Sequence, residues 1–478
     1  MKLSEYTSHD GLGLADLVRR REVTPAELVD VATSAIDQTN PSLNAVIRSL
    51  RDQADQALAA GLADGPFTGV PFLIKDLGLM SAGVPTGMGS RLFQGFIAPL
   101  DSELMVRYRR AGLVPLGKTS TPELGINVVT EPLAHGPTRN PWNTDRTPGG
   151  SSGGAAAAVA ARMVPIAHGS DAGGSIRIPA SCCGLFGFKP TRGRTPTGPM
   201  QGELLGGLAI EHVLTRSVRD SAALLDVTAG ADPGAPYDVP PPARPFLDEV
   251  NAPPSRLRIA FYDTPLSGAP VSDDARQALQ RTVALCQELG HELIPAPPPA
   301  DWSMIASVFN LIFANHAYVF DIMLPMFGLT AGPESVEATT LALRDAGRRM
   351  TGAHVFAALA ARDQISRAVG QFFTQFDVLL SPTLAQPPLP VGTLDANDPR
   401  YDGRSWLDAC FEFAAFTPLA NITGNPAMSV PLHTSADGLP IGVQFEARQG
   451  NEATLFRLAG QLEQAAPWAQ RRPPVCAG

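Results

Sequence analysis

The chain has 478 residues, 44% hydrophobic and 17% charged, with a net charge of −9. At this size a fold buries roughly 75% of its unfolded surface, which leaves room for a deep pocket. The acidic excess is spread along the chain with no basic stripe, which argues against nucleic acid and anionic membrane as partners. Met1 to Gly11 lacks the apolar core of a secretion signal. The most apolar stretch, Gly153 to Ala161, is too short to cross a bilayer. Five irregularly spaced cysteines argue against a disulfide framework and for a reducing compartment, so a cytoplasmic location is expected. No cysteines and histidines fall at a zinc-site spacing, and no metal is expected.

In chain order, Thr24-Pro25-Ala26-Glu27 is a capping box with proline in the first helical turn. The helix it opens lines Leu28, Val31, Ala32, Ala35 and Ile36 along one face. A second helix is expected around Arg51 to Gly61, followed by a short buried strand, Gly69 to Ile74, with Lys75-Asp76 at its carboxyl end. Asp101 to Ala111 reads as a helix, Leu113 to Leu116 as a strand, and Pro122 to Gly125 as the start of another helix. Met163 to Ala167 is strand-like. The proline-rich run Asp232 to Pro245 is a surface connection. Beyond it, strands are expected at Leu257 to Tyr262 and His291 to Pro295 around a helix from Asp273 to Gly290. An aromatic helical region, Trp302 to Phe327, comes next, then a strand at Phe376 to Leu380. The tail reads as a strand (Ala427 to Pro431), a turn at Asp437-Gly438, a strand (Ile441 to Phe445) and a final helix, Glu452 to Gln464. Strands alternating with helices indicate an α/β sheet. One domain is expected over 1–478: an N-terminal helical segment (1–64), a core (65–231), a variable helical region (232–370) and a C-terminal part of the sheet (371–478).

Three glycine-rich signals carry chemistry. Gly112 to Thr119 matches the phosphate-loop pattern G-x-x-x-x-G-K-[ST], but its four inner residues are apolar and themselves read as a strand. Pro148 to Gly154 places Ser151 and Ser152 among four glycines before an all-small helix, whose N-terminus offers free N–H groups. Both serines also satisfy G-x-S-x-G, so a nucleophile elbow with a downstream acid and histidine is a rival. No histidine, including His433, stands out as its partner. Finally, His168 to Pro179 contains Asp171-Ala172-Gly173-Gly174-Ser175, where small residues let backbone N–H groups converge beside a serine as an oxyanion hole. A serine without a histidine needs another base, and Lys75, at the end of an apolar strand, could be kept neutral by burial.

Lys75 in GVPFLIKD, the run Gly149 to Gly154 and DAGGSIRIP together resemble the amidase signature family. So do Asn140-Pro141-Trp142-Asn143, Gly187 to Thr191, Asp377 to Thr383, Asn421 to Pro426 and Asp437 to Pro440. The likeness spans nearly everything from residue 65 on except about 232–370, and the 24-residue spacing between Ser151 and Ser175 agrees with it. It implies an α/β fold with a large mixed, mostly parallel sheet sandwiched between helices. It further implies Ser175 as nucleophile, Ser151 as a bridging serine after a cis peptide, and Lys75 as neutral general base. The N–H groups of Ala172, Gly173, Gly174 and Ser175 would hold the oxyanion, and Gly125, Ile126 and Asn127 are expected at the substrate. No cofactor is implied, and the partner is a small-molecule amide, bound by a monomer or homodimer. Ala209 to Asp220 departs from the family's usual D-x-x-G-P, which speaks against the aminoacyl-tRNA amidotransferase branch. Thr130 to Trp142 and His168 to Asp171 are more similar to hydrolases of the 6-aminohexanoate cyclic-dimer type. The expected activity is amide hydrolysis on neutral, apolar or aryl carboxamides, with oligoamides or carbamates as extensions. A partner-dependent glutaminase and a silent binding protein are the alternatives, the latter disfavoured by the intact Lys75, Ser151 and Ser175.

Overall fold

A computed structural model describes residues 1–478. One eleven-stranded sheet runs through it, with strands β1 (Val46–Ser49), β2 (Pro71–Lys75), β3 (Val114–Thr119), β4 (Ile166–Asp171), β5 (Phe186–Lys189) and β6 (Ile210–Thr215) from the first half. The second half adds β7 (Arg258–Phe261), β8 (Glu292–Pro295), β9 (Val378–Pro382), β10 (Ala427–Thr434) and β11 (Pro440–Ala447). The spatial order is β1-β3-β2-β4-β6-β5-β10-β11-β9-β7-β8. The sheet therefore continues across the proline-rich connection at Asp232 to Pro245, which forms no helix or strand.

The sheet is mixed, as expected, but not mostly parallel. β3, β2 and β4 pair in parallel, as do β9, β7 and β8, while the joints from β4 through β6, β5, β10 and β11 to β9 are all antiparallel. The sequence reading missed β5 and β6 and so missed the antiparallel centre they build. Short strands whose two faces are both buried show no alternation to detect. β4 shows the consequence: its six-residue ladder with β6 places it over Ile166–Asp171, so His168 to Asp171 are strand residues. Residues 1–64, expected to be helical, also contribute edge strand β1 against β3. Pro122 to Gly125 forms only a single tight turn, since Leu124 takes a left-handed backbone (φ 50) that no helix continues through, while the buried Glu123 carboxylate accepts from Ser90 Oγ (2.7 Å) and Glu337 N (2.8 Å). The phosphate-loop match is disposed of: Lys118 lies inside buried β3 with Nζ 3.5 Å from Asp76 Oδ1.

Alternation in β9 shows why two layers of helices are needed. Val378 and Leu380 face a core shared with helices Val218–Thr228, Asp273–Glu288 and Glu452–Ala465, whereas Leu379 faces the other core. That second core includes Gly153–Ala160, a helix of small residues that is buried on every side. Trp302–Met326 is long and apolar enough to cross a membrane, but half of its most apolar 18-residue stretch is buried inside the protein. The exposed cap of helix Pro25–Leu43 is formed as its sequence implies, with Thr24 Oγ1 accepting from Glu27 N and Thr24 N donating to Glu27 Oε2. Thr24→Ala is expected to lower stability by about 1 kcal/mol, read as a shifted urea midpoint with amidase activity unchanged.

Candidate active site

β2 delivers Lys75 at the carboxyl end of the parallel block, where its side chain is wholly buried. Nζ donates to Ser151 Oγ at 2.7 Å and to Ser170 Oγ at 2.9 Å. Burial drives the amine down to about 7, against the smaller opposing pull of the Glu211 and Asp171 carboxylates. Desolvation disfavours an ammonium in this way because no water solvates the charge. An ordinary lysine amine is neutral in roughly one copy in a few thousand at pH 7; here burial brings the neutral amine within reach near neutral pH. Ser170 was not singled out from the sequence. The strand read there ends at Ala167, short of it.

Ser151 sits in the bend before helix Gly153–Ala160, and the peptide bond from Gly150 to Ser151 is cis. The bend is packed from behind by residues 127–129, and Gly150 has no room for a side chain beside the Asn127 and Val129 carbonyls. Gly125 lies against Ser151, since a Cβ there would be 3.3 Å from Ser151 Oγ. The Ile126 carbonyl accepts from Trp406 Nε1, and Asn127 Oδ1 accepts from Val129 N. Of the three residues expected at the substrate, Gly125 is thus beside Ser151, while these contacts of Ile126 and Asn127 fasten the bend.

Ser175 follows β4 in a turn before helix Arg177–Cys183 and is half-buried. The two serine loops meet through backbone, Ser152 N donating to the Ser175 carbonyl at 3.3 Å. No hydrogen bond joins the Ser151 and Ser175 hydroxyls. None joins a histidine to Ser151, Ser152 or Ser175 either; His433 pairs with Thr282 Oγ1 at 2.8 Å instead. The nucleophile elbow therefore lacks its base.

One part of the expected oxyanion set changes. Gly174 N donates to Asp171 Oδ1 at 2.8 Å, so its N–H is already occupied, while those of Ala172, Gly173 and Ser175 make no hydrogen bond. Asp171 is the reason. Its carboxylate also accepts from Ile176 N, from Arg177 Nε (3.0 Å) and from Arg177 Nη2 (2.9 Å), tying the loop into a closed turn. Gly174 supplies the backbone this turn needs, at φ +129. Burial pushes the Asp171 carboxyl up, but the Arg177 guanidinium holds it well below the usual carboxylate range. Arg177 is in turn saturated by the Thr417 carbonyl, Gln444 Oε1 and Asn421 Oδ1. The sequence motif contained both charges, but their partners lie some 240 residues or more away along the chain.

An apolar wall stands over the nest. A Cβ on Gly173 would meet the Phe411 ring at 3.0 Å; Phe411 stacks on Phe309 with centroids 4.5 Å apart, and Trp302 packs edge-on against Phe309.

A mixed α/β sheet carrying serine loops beside a buried lysine belongs to the class of hydrolases that cleave carbon–nitrogen bonds other than peptide bonds, in linear or cyclic amides. The chain matches the Amidase family over residues 27–456 and belongs to it. It is 38% identical over 480 residues to the 6-aminohexanoate-cyclic-dimer hydrolase of Paenarthrobacter ureafaciens, covering 98% of this chain and 96% of that protein. The solved structure of a 6-aminohexanoate cyclic dimer hydrolase complexed with substrate superposes with a TM-score of 0.93 at 36% identity, over 98% of this chain and 99% of that one. A bacterial aryl acylamidase of the amidase signature enzymes gives 0.88 at 27% identity, over 97% of each chain.

The Asp171–Arg177 pair is fully buried. Asp171→Asn is expected to cost about 3–5 kcal/mol by leaving Arg177 uncompensated, measured as a fall in the urea midpoint at neutral pH.

Proposed function

We propose that this amidase hydrolyses neutral, apolar or aryl carboxamides through an acyl-enzyme on Ser175, with Ser151 as proton relay and Lys75 as neutral base. The observation that carries the mechanism is the 2.7 Å contact between a wholly buried Lys75 Nζ and Ser151 Oγ. Ser175 Oγ attacks the amide carbon while its proton passes to Ser151 Oγ, whose own proton goes to Lys75 Nζ. The relay requires the Ser175 and Ser151 hydroxyls to meet in the substrate complex, where catalytic hydrogen bonds tighten. The oxyanion is received by the unoccupied N–H groups of Ala172, Gly173 and Ser175. One such donor is worth about 2.7–4 kcal/mol to the transition state. As the C–N bond breaks, the ammonium proton returns through Ser151 to the leaving nitrogen. Water then attacks the Ser175 ester with Lys75 again taking the proton, and the carboxylic acid leaves as Ser175 recovers its own.

The substrate class rests on the wall. Phe411 sets its ring next to the nest, backed by Phe309 and, behind that, by Trp302. Arg177, the cation just behind it, has its donors committed to Asp171, Thr417, Gln444 and Asn421. A charged acyl group would thus find no partner, whereas an apolar chain or ring flanking a neutral carbonyl is well accommodated. The likeness to a cyclic-dimer hydrolase and to an aryl acylamidase supports this reading.

A fluorophosphonate probe is expected to label Ser175 alone, with Ser175→Ala abolishing acylation and Ser151→Ala or Lys75→Ala leaving weak turnover. Mass-spectrometric labelling at Ser151 or Ser152 with Ser175 free would reverse the assignment. With Lys75 near 7 and active only when neutral, kcat/KM rises from pH 6 to 8 and levels above it; a flat profile with chemistry rate-limiting contradicts lysine as base. An anilide is expected to exceed glutamine in kcat/KM. Glutamine ahead by tenfold, about 1.4 kcal/mol in the wrong direction, ends the apolar-pocket reading.

A further inference from the structure

Behind Lys75 lies a buried polar group that the mechanism above does not use. Ser170, which accepts from Lys75 Nζ, stands directly opposite Glu211 in the antiparallel ladder of β4 and β6. Directly opposed residues point to the same face, so Lys75, Ser170 and Glu211 share one side of the sheet. His168, two residues before Ser170, shares it too, and its Nε2 lies 3.5 Å from Glu211 Oε1. The carboxylate fills the space a side chain at position 78 would need: a Cβ on Gly78, in the loop leaving Lys75, would be 2.1 Å from Oε1. His168 is wholly buried and Glu211 is 4% exposed, yet His168 Nδ1 and Tyr108 Oη beside it make no hydrogen bond, and His168 Nε2 and Glu211 Oε1 have only their long approach to each other. Unpartnered buried polar atoms are costly and call for an explanation in function. A carboxylate oxygen that receives no donor leaves its charge unspent on local partners.

We infer that Glu211, with His168 packed against it, is a positioning residue for Lys75, its carboxylate setting the proton affinity of the amine. The charged and titratable groups around Lys75 point to Glu211. From β4, Asp171 is committed to Arg177; from β3, Lys118 is paired with Asp76 at 3.5 Å. His168 is held toward its neutral form by burial, against Glu211, and Tyr108 on helix Glu103–Arg110 is pushed well above its ordinary value by burial and by Glu211. Glu211 remains as the carboxylate not matched by a close cation. Burial alone would weaken Lys75 as a base, and a nearby carboxylate restores part of its strength. The device keeps the amine neutral near pH 7 and still able to pull a proton through Ser151.

This rests on Lys75 being the base, and the experiment separates the two ideas. The acid limb of kcat/KM against pH is measured for the wild type, Glu211→Gln, Glu211→Asp and Glu211→Met, with far-UV circular dichroism confirming folding. Glu211→Gln removes the charge that favours ammonium, so the limb is expected to move to lower pH by roughly one unit, with a lower plateau. Glu211→Asp keeps the charge and holds the limb near its wild-type position. A Glu211→Gln enzyme whose kcat falls while the limb stays put overturns the inference and leaves the base assignment standing. A wild type with no acid limb near pH 7 overturns the base assignment and this inference with it. Should Glu211→Gln fail to fold, Glu211→Met, which also removes the charge, is read in the same way: a limb moved to lower pH supports the inference, and an unmoved limb overturns it.

Discussion

The structure is organised around one unfavourable act, the burial of a lysine amine at the end of a central strand. Lys75 has no exposure, and its ammonium form is disfavoured accordingly. Everything that touches it is consistent with an amine that gives and takes a proton. Two hydroxyls, Ser151 and Ser170, can each act as donor or acceptor, so they satisfy Nζ in either protonation state. A carboxylate in direct contact would instead have pinned the proton in place. The nearest carboxylates are one step removed: Asp171 is turned to Arg177, and Glu211 sits across the ladder from Ser170.

The second constraint is the Asp171–Arg177 pair, which gives the nest its shape. Through it the turn after β4 is tied to Thr417 and Asn421, at the helix Pro418–Thr423, and to Gln444 on β11. The N-terminal and C-terminal halves of the chain therefore meet at the nest. Buried charges of this kind contribute little net stability against an apolar replacement but are severe to break singly. Their effect here is geometric, since Gly174 N is consumed in holding the turn while its neighbours' N–H groups stay free.

Most of the site was legible in the sequence because its chemistry demands unusual local composition. Glycines crowd around Ser151 and Ser175, and an apolar run ends in Lys75; small residues and a lone basic residue in such places carry information by themselves. The parts that were not legible depend on partners far along the chain. Glu211 and His168 gain meaning only once β4 and β6 are paired, and β6, buried on both faces, gave no periodic signal. Where a helix was expected from Pro122, Leu124 turns left-handed, and Glu123 is held by Ser90 and by Glu337, more than two hundred residues away. The expectation of a mostly parallel sheet treated alternating strands and helices as crossovers throughout. The hairpin turning at Asp437-Gly438 and the missed pair β5–β6 make the centre antiparallel instead.

Under the proposed function, chemistry and selectivity lie on separate parts of this fold. Phe411 lies on helix Gly403–Phe413, and Phe309 joins the helices Trp302–Val308 and Asn310–Tyr318. Neither segment carries Lys75, Ser151 or Ser175; Phe411 leans on the nest, and Phe309 braces it from behind. Ring stacking between Phe411 and Phe309 couples the two segments, so a change in either repositions the surface that meets the acyl or amine portion of a substrate. The groups of the proposed relay are fixed by strands and by the glycine bends between them. Substitution in the wall can therefore alter which amide is held without disturbing Lys75, Ser151 or Ser175, and loops over a rigid catalytic base are where such variation is tolerated. The span 232–370 contributes Trp302 and Phe309 to this aromatic stack but none of Lys75, Ser151 and Ser175.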